Sequence, residues 1–340
     1  MADEKDKVVG YRQQSGKLSF PRPGSGGSRK ISEPRDEDSI AESKGSGGHK
    51  HDDLLTGSAI GKATALVDGR WKVTGQAQYG DDVRLPGELI GRIVRSRHHY
   101  ARVLSIDVTG ALELPGVVAI ATGQDASGSF GVLPVTKDEN AMARDKVRHI
   151  GDLVACVAAV DEATAREAAR LIEIEYEELD AVHDMRRGLD DADEPIHDRG
   201  KYHIGSSNVQ KRVFQEFGDI AGMTENAVAS HKSNWLFAGA NHGFTEPHAV
   251  VAHWDPSGRL TLYTPQQVPH YVHRALADVL EIPMHQINVH RTFVGGGFGG
   301  KSDPFPHEMC AAILARKAGR PVRINFDREE VFWVNRGRHP

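Results

Sequence analysis

From residue 61 onward the apolar positions form short runs whose spacing alternates between strand-like and helix-like. Leu89 to Val94, Val103 to Val108 and Val117 to Thr122 read as strands. Leu153 to Val160 is an unbroken apolar run opened by Gly151-Asp152, the pattern of a buried strand. Asp161 to Leu171 then reads as a helix, with Asp161 as its N-cap and alanines along one face. Ile172, Ile174 and Tyr176 alternate with Glu173, Glu175 and Glu177, which predicts a half-exposed strand.

The second half repeats this grammar with other partners. Ala249 to Trp254 and Leu260 to Tyr263 flank Asp255-Pro256-Ser257-Gly258 and predict a hairpin. Pro269 to Leu280 predicts a helix, with proline in its first turn and Val268, Val272, Leu276 and Val279 on one face. A strand over 287–293, a helix from about Phe305 to Ala318 stopped by Gly319, and a strand from Val322 to Phe326 complete the pattern. The expected organisation is an extension over 1–60, an α+β unit over 61–180, a polar linker over 181–208 and a second unit over 209–340.

Residues 1–60 carry mixed charges, Gly and Ser, and few large apolar groups. Such a segment buries too little surface to offset its ordering entropy, so it is expected to be disordered. Its His49-Lys50-His51-Asp52-Asp53 cluster reads as a solvated polar tract. The formal charge of −5 and pI near 6.4 provide no basic field for nucleic acid. Cys156 and Cys310, the only two cysteines, each sit in an apolar run; they exclude a disulfide framework and a cysteine-built zinc or iron–sulfur site. No run reaches the ~20 apolar residues of a membrane span, and the N-terminus lacks a secretory apolar core. A soluble, cytoplasmic location without membrane contact is the expectation.

The candidate chemistry lies in Phe293-Val294-Gly295-Gly296-Gly297-Phe298-Gly299-Gly300-Lys301. A side-chain-poor turn between strand and helix lets backbone N–H groups approach a bulky anionic ligand. Gly295, Gly297 and Gly300 satisfy G-x-G-x-x-G, and Asp327 follows the next strand, as in a dinucleotide fold. That reading predicts an NAD(P)-dependent oxidoreductase. Against it, Lys301-Ser302-Asp303-Pro304-Phe305-Pro306 separates glycines from helix, and its prolines disfavour helix at the residues before them.

The same residues carry a resemblance. The loop, with Gly319-Arg320-Pro321-Val322-Arg323, Asp327-Arg328-Glu329-Glu330 and Gly337-Arg338-His339-Pro340, resembles the molybdenum-binding subunit of the xanthine dehydrogenase and aldehyde oxidase family. Upstream, Thr264-Pro265-Gln266-Gln267-Val268-Pro269 is similar to that family's glutamine motif, and Thr245-Glu246-Pro247-His248 to its Glu-Pro segment. Val67-Asp68-Gly69, Lys72-Val73-Thr74-Gly75, Arg95-Ser96 and Gly151-Asp152-Leu153-Val154-Ala155 resemble its hammerhead domain. The implied fold is α+β: a hammerhead domain, then the first part of a molybdopterin-binding domain. Within the family, Phe130-Gly131-Val132-Leu133-Pro134, Ala143-Arg144-Asp145-Lys146-Val147-Arg148 and Gln267-Val268-Pro269-His270-Tyr271-Val272-His273 are most similar to the large subunit of 4-hydroxybenzoyl-CoA reductase.

The resemblance implies a molybdenum-pterin cofactor, as molybdopterin or its cytosine dinucleotide form, with 2Fe-2S clusters and FAD on partner chains. Gln267 matches the glutamine whose amide hydrogen-bonds a molybdenum oxygen. Gly297, Phe298 and Gly299 match the loop backbone beside the cofactor, so Gln267 and Phe298 are the residues expected next to the metal. Ser302 stands where purine-hydroxylating members carry a glutamate, which argues against xanthine as substrate. Glu246 is expected to be structural. No catalytic residue is expected in this chain, because the family's general-base glutamate and most pterin contacts correspond to positions beyond Pro340. The implied partners are a C-terminal molybdenum-binding half if separately encoded, an iron–sulfur subunit and an FAD subunit. The implied substrate is an aromatic or heteroaromatic compound or a CoA thioester. A remnant or interaction module that kept the fold without activity is the non-enzymatic alternative.

Overall fold

The computed structural model describes residues 65–131, 137–189, 195–197, 208–209, 213–334 and 336–338. The expected disordered extension over 1–60 and its His/Asp cluster lie outside the described residues, as do Val132, Leu133 and Pro134 and most of the expected linker. Strands β1 (Leu89–Arg95), β2 (Ala101–Asp107), β3 (Val117–Thr122), β4 (Ser129–Phe130), β5 (Glu139–Asn140), β6 (Lys146–Val147), β7 (Leu153–Ala159) and β8 (Glu173–Glu178) belong to the first half. Strands β9 (Ala249–Trp254), β10 (Leu260–Thr264), β11 (Ile287–Arg291) and β12 (Val322–Asn325) belong to the second. The helices are α1 (Gly69–Val73), α2 (Thr109–Leu112), α3 (Glu162–Leu171), α4 (Ile220–Glu225), α5 (Pro269–Leu280), α6 (Pro306–Ala318) and α7 (Arg328–Val334).

Internal packing groups the described residues into two units. Among the described residues, those within 77–215 and 236–338 make one unit, and 65–76 with Glu216–Trp235 make another. The smaller unit contains α1 and α4, short helices without a buried residue. In the larger unit one seven-stranded sheet, ordered β11-β10-β9-β12-β1-β7-β3, runs through both halves. The join is β1 against β12, parallel, with Leu89 opposite Val322 and Gly91 opposite Ile324. The expected hairpin is present as the antiparallel pair β9–β10.

Burial explains the sequence patterns. Along β7, Cys156 and Ala158 enter the main core with α6, while Ala155 and Val157 enter a second core with Ala168 of α3. A strand covered on both faces needs apolar residues at every position, hence the unbroken run. Every residue from His307 to Ala315 of α6 is buried, as expected of a helix apolar nearly all round. Gly319 ends it in the left-handed region at φ 62°. In the small sheet β6-β2-β8, Ile174 and Tyr176 pack inward and the β8 glutamates face out. Asp161 caps α3 as expected, accepting from the Thr164 N–H. Two expectations shift: β11 stops at Arg291 rather than 293, and α7 has no counterpart in the sequence reading.

Candidate functional site

β10 ends at Thr264, and the chain runs through Pro265-Gln266-Gln267 into α5. Successive side chains leave an extended segment on opposite sides. Gln266 accordingly goes inward and is 1% exposed, while Gln267 is half-buried against the glycine loop. The Gln267 carbonyl oxygen accepts from the N–H groups of Gly299 (3.1 Å) and Lys301 (3.2 Å). The Gln267 N–H donates to the Lys301 carbonyl at 2.8 Å. Backbone N–H groups only donate, so the atom facing them must be the amide oxygen, and the NH2 is directed elsewhere. Ser302 Oγ lies 3.5 Å from that same oxygen.

Two glycines of the loop stand against close neighbours. A Cβ at Gly297 would stand 2.4 Å from the Gln267 oxygen, and one at Gly295 would stand 2.6 Å from Glu246 Cβ. Phe298 takes a positive φ of 52° and is 74% exposed. Among the described residues, the N–H groups of Gly296, Gly297 and Phe298 donate no hydrogen bond. Gln267, Gly297, Phe298 and Gly299 therefore come together as one donor-rich cradle, with Ser302 at its edge.

Beneath the loop, Glu246 binds three donors. Its Oε2 accepts from the Gly295 N–H and Lys301 Nζ, each at 2.7 Å, and its Oε1 accepts from the Gly80 N–H at 3.0 Å. Lys301 is 1% exposed and lies 4.7 Å from the centre of the Phe244 ring. Burial pushes its pKa down, and the Glu246 carboxylate opposes that shift. The pair clamps the loop from below. The sequence reading placed a structural role on Glu246 but missed its partner; the lysine that closes the glycine run was the available signal.

A second carboxylate was also missed. Glu308, in the first turn of α6, is fully buried. Its Oε1 accepts from Thr264 Oγ1 and Gln266 Nε2, both at 2.9 Å, and its Oε2 accepts from the Phe305 N–H at 3.0 Å. Burial pushes its pKa up to about 7 against these donors. An acid at the third position of a largely apolar helix is a capping signal that sequence alone displays. Nearby, His307 is buried between Phe305, Phe326 and His248, and among the described residues both of its ring nitrogens lack a partner. Beyond the spacer opens a cavity of about 710 Å³, reaching from Asp138 and Asp152 to Phe305 and Arg336. None of the cradle residues lines it.

The dinucleotide reading fails on topology. Its fingerprint requires adjacent parallel strands around the glycine turn. Here β11 and β12 are separated by β10 and β9, and α6 begins only at Pro306. Asp327, the expected ribose acid, is held by Arg166 at 3.0 Å and Arg92 at 3.4 Å.

Residues 203–340 match the molybdopterin cofactor-binding domain family, and residues 74–180 match the a/b hammerhead domain of aldehyde oxidase and xanthine dehydrogenase. The chain is 34% identical over 283 residues to the xanthine dehydrogenase molybdenum-binding subunit of Escherichia coli O157:H7, covering 80% of this chain and 37% of that protein. It is 33% identical over 283 residues to the nicotinate dehydrogenase large molybdopterin subunit of Eubacterium barkeri, covering 83% and 64%. Quinoline 2-oxidoreductase from Pseudomonas putida 86 superposes with a TM-score of 0.71 at 31% identity, over 80% of this chain and 35% of that one. The chain thus spans between about a third and two thirds of these relatives. A cradle of unpaired N–H groups beside a fixed amide, with close neighbours crowding the Gly295 and Gly297 positions, fits an oxygen-rich cofactor such as molybdopterin. A hammerhead domain followed by a molybdopterin-binding domain places this chain in the xanthine dehydrogenase and aldehyde oxidase family of molybdenum-dependent oxidoreductases.

Proposed function

We propose that this chain supplies one wall of a molybdenum-pterin site, with Gln267, Gly297, Phe298 and Gly299 against the cofactor and Ser302 toward the substrate. The observation that carries the reading is the Gln267 amide, whose oxygen is taken up by Gly299 and Lys301 so that its NH2 is the donor on offer. When bound, such a cofactor supplies two-electron redox chemistry at the metal. This chain's part is to present donors, exclude side chains from the loop and hold both in place through Glu246 and Lys301. Ser302 carries no charge, so it suits an aromatic or heteroaromatic substrate held by a hydrogen bond rather than an ion pair. The complete activity, hydroxylation or reductive dehydroxylation of such a compound, including the 4-hydroxybenzoyl-CoA reductase direction, belongs to an assembly. That assembly contains the part of its relatives this chain does not match, with iron–sulfur and FAD chains as electron partners. The domain limits 61–180 and 209–340 are proposed as the hammerhead and cofactor-binding portions.

The test is reconstitution with a chain carrying the unmatched portion, followed by Gln267→Ala. Losing a donor to a charged oxygen costs about 1.5–3 kcal/mol. If that bond strengthens in the transition state, turnover falls ~10–100-fold at equal molybdenum content. An unchanged rate at equal metal content would remove Gln267 from the site.

A further inference from the structure

The cradle depends on where Gln267 is held, and Gln267 is the outward member of a pair. Its neighbour Gln266 is the inward member. Gln266 Nε2 donates to Glu308 Oε1 at 2.9 Å and to the Asp303 carbonyl at 3.0 Å. One buried amide therefore bridges helix α6 and the spacer that leaves the glycine loop. Thr264 Oγ1 adds a donor to the same Glu308 oxygen and also reaches the Ala249 carbonyl at 3.3 Å. The other Glu308 oxygen accepts from Phe305, where α6 begins. Three segments thus converge on one carboxylate: the end of β10, the spacer through Gln266, and the first turn of α6.

Stability does not explain this arrangement. Among the described residues, Glu308 is fully buried without a cation in contact, and Gln266 Oε1 is buried without a partner. Each is a cost that a well-packed apolar pair would avoid. What the arrangement does provide is registration between the glutamine segment and the loop exit. The Gln267 N–H to Lys301 carbonyl bond and the Gln266 amide to Asp303 carbonyl bond lace these two segments at two successive points. Without the Glu308 anchor, Gln266 loses one of its two acceptors and the β10 exit is freed to shift against the loop.

We propose that Glu308 is a positioning residue for the cofactor cradle: through Gln266 it sets the Gln267 amide against the Gly299 and Lys301 N–H groups. The inference rests on the reading of Gln267 as a cradle residue, but its test needs no cofactor. Amide hydrogen exchange resolved by NMR on the whole chain reads the Gly299 and Lys301 N–H groups directly. Glu308→Gln keeps the shape and sets an NH2 against either the Phe305 N–H or the Gln266 NH2. Exchange at Gly299 and Lys301 should quicken at least ~10-fold, the loss of about 1.4 kcal/mol of local protection. The amides of Cys310 to Ala315 should change no more than in Met309→Ala, a core variant of the same helix that leaves the network intact. Thr264→Val, which removes only the hydroxyl, should give a smaller change of the same pattern and serves if Glu308→Gln does not fold. Loop amides that stay protected, or that quicken equally in Met309→Ala, would overturn the proposal. A cradle that loosens as expected while Gln267→Ala leaves turnover intact would instead count against the cofactor reading alone.

Discussion

Lys301→Met removes the ammonium from beneath the glycine loop and leaves the Glu246 carboxylate behind. That carboxylate keeps the N–H groups of Gly295 and Gly80 as donors but loses the cation that stands 2.7 Å from it. Breaking a buried pair from one side costs about 3–5 kcal/mol, because the remaining charge stays desolvated. The two surviving donors put the expected loss near the lower bound, about 3 kcal/mol. Glu246→Gln leaves the complementary fault: a lysine 1% exposed whose counter-charge is replaced by a neutral amide oxygen, with the Phe244 ring beside it. A cation over a ring recovers up to ~2 kcal/mol, so this variant should also lose about 3 kcal/mol. The double variant carries neither charge. Its remaining fault is one mismatched amide in place of the carboxylate, so it should lose no more than ~3 kcal/mol rather than the ~6 kcal/mol sum. Urea unfolding followed by tryptophan fluorescence and far-UV circular dichroism, with an unchanged m value, measures all three. A double variant that loses the full sum, within ~0.5 kcal/mol, would show that the two residues do not act as a pair.

Gly297→Ala forces its methyl onto the Gln267 oxygen and should cost about 2–3 kcal/mol through two lost hydrogen bonds, read as a drop in melting temperature. Burial holds the His307 pKa well below its ordinary value, so the unfolded chain binds the proton first and stability falls as pH drops below about 6.5. His307→Phe should flatten that fall and add about 1 kcal/mol at neutral pH by removing two unpartnered nitrogens; parallel wild-type and variant stability curves would refute it. Glu308 has the opposite sign. Its unfolded carboxyl ionises near 4.5 and its folded one at about 7, so the folded state keeps the proton through that window. Stability is therefore lost as pH rises from 4.5 to 7, by up to ~3 kcal/mol, and Glu308→Gln should abolish this slope in urea titrations across that range.

Local pattern determined the elements. The two-residue alternation of β8, the unbroken run of β7, the Asp161 cap and the Pro269 and Gly319 boundaries all follow from steric and hydrogen-bonding rules that act over a few residues. The motifs around Gln267 and the glycine loop likewise carried the family in the residues themselves. Only the tertiary structure decided how the pieces join. The parallel register of β1 on β12 links positions more than two hundred residues apart, and no local rule selects that partner. The same holds for charge. In the sequence, Lys301, Asp327 and Glu308 are three ordinary ionisable residues near a glycine run. Folding buries Lys301 against Glu246, hands Asp327 to Arg92 and Arg166, and seals Glu308 beneath the glutamine pair. An ionisable group's role is set by its burial and by the partners within hydrogen-bond reach, and both are properties of the packed chain.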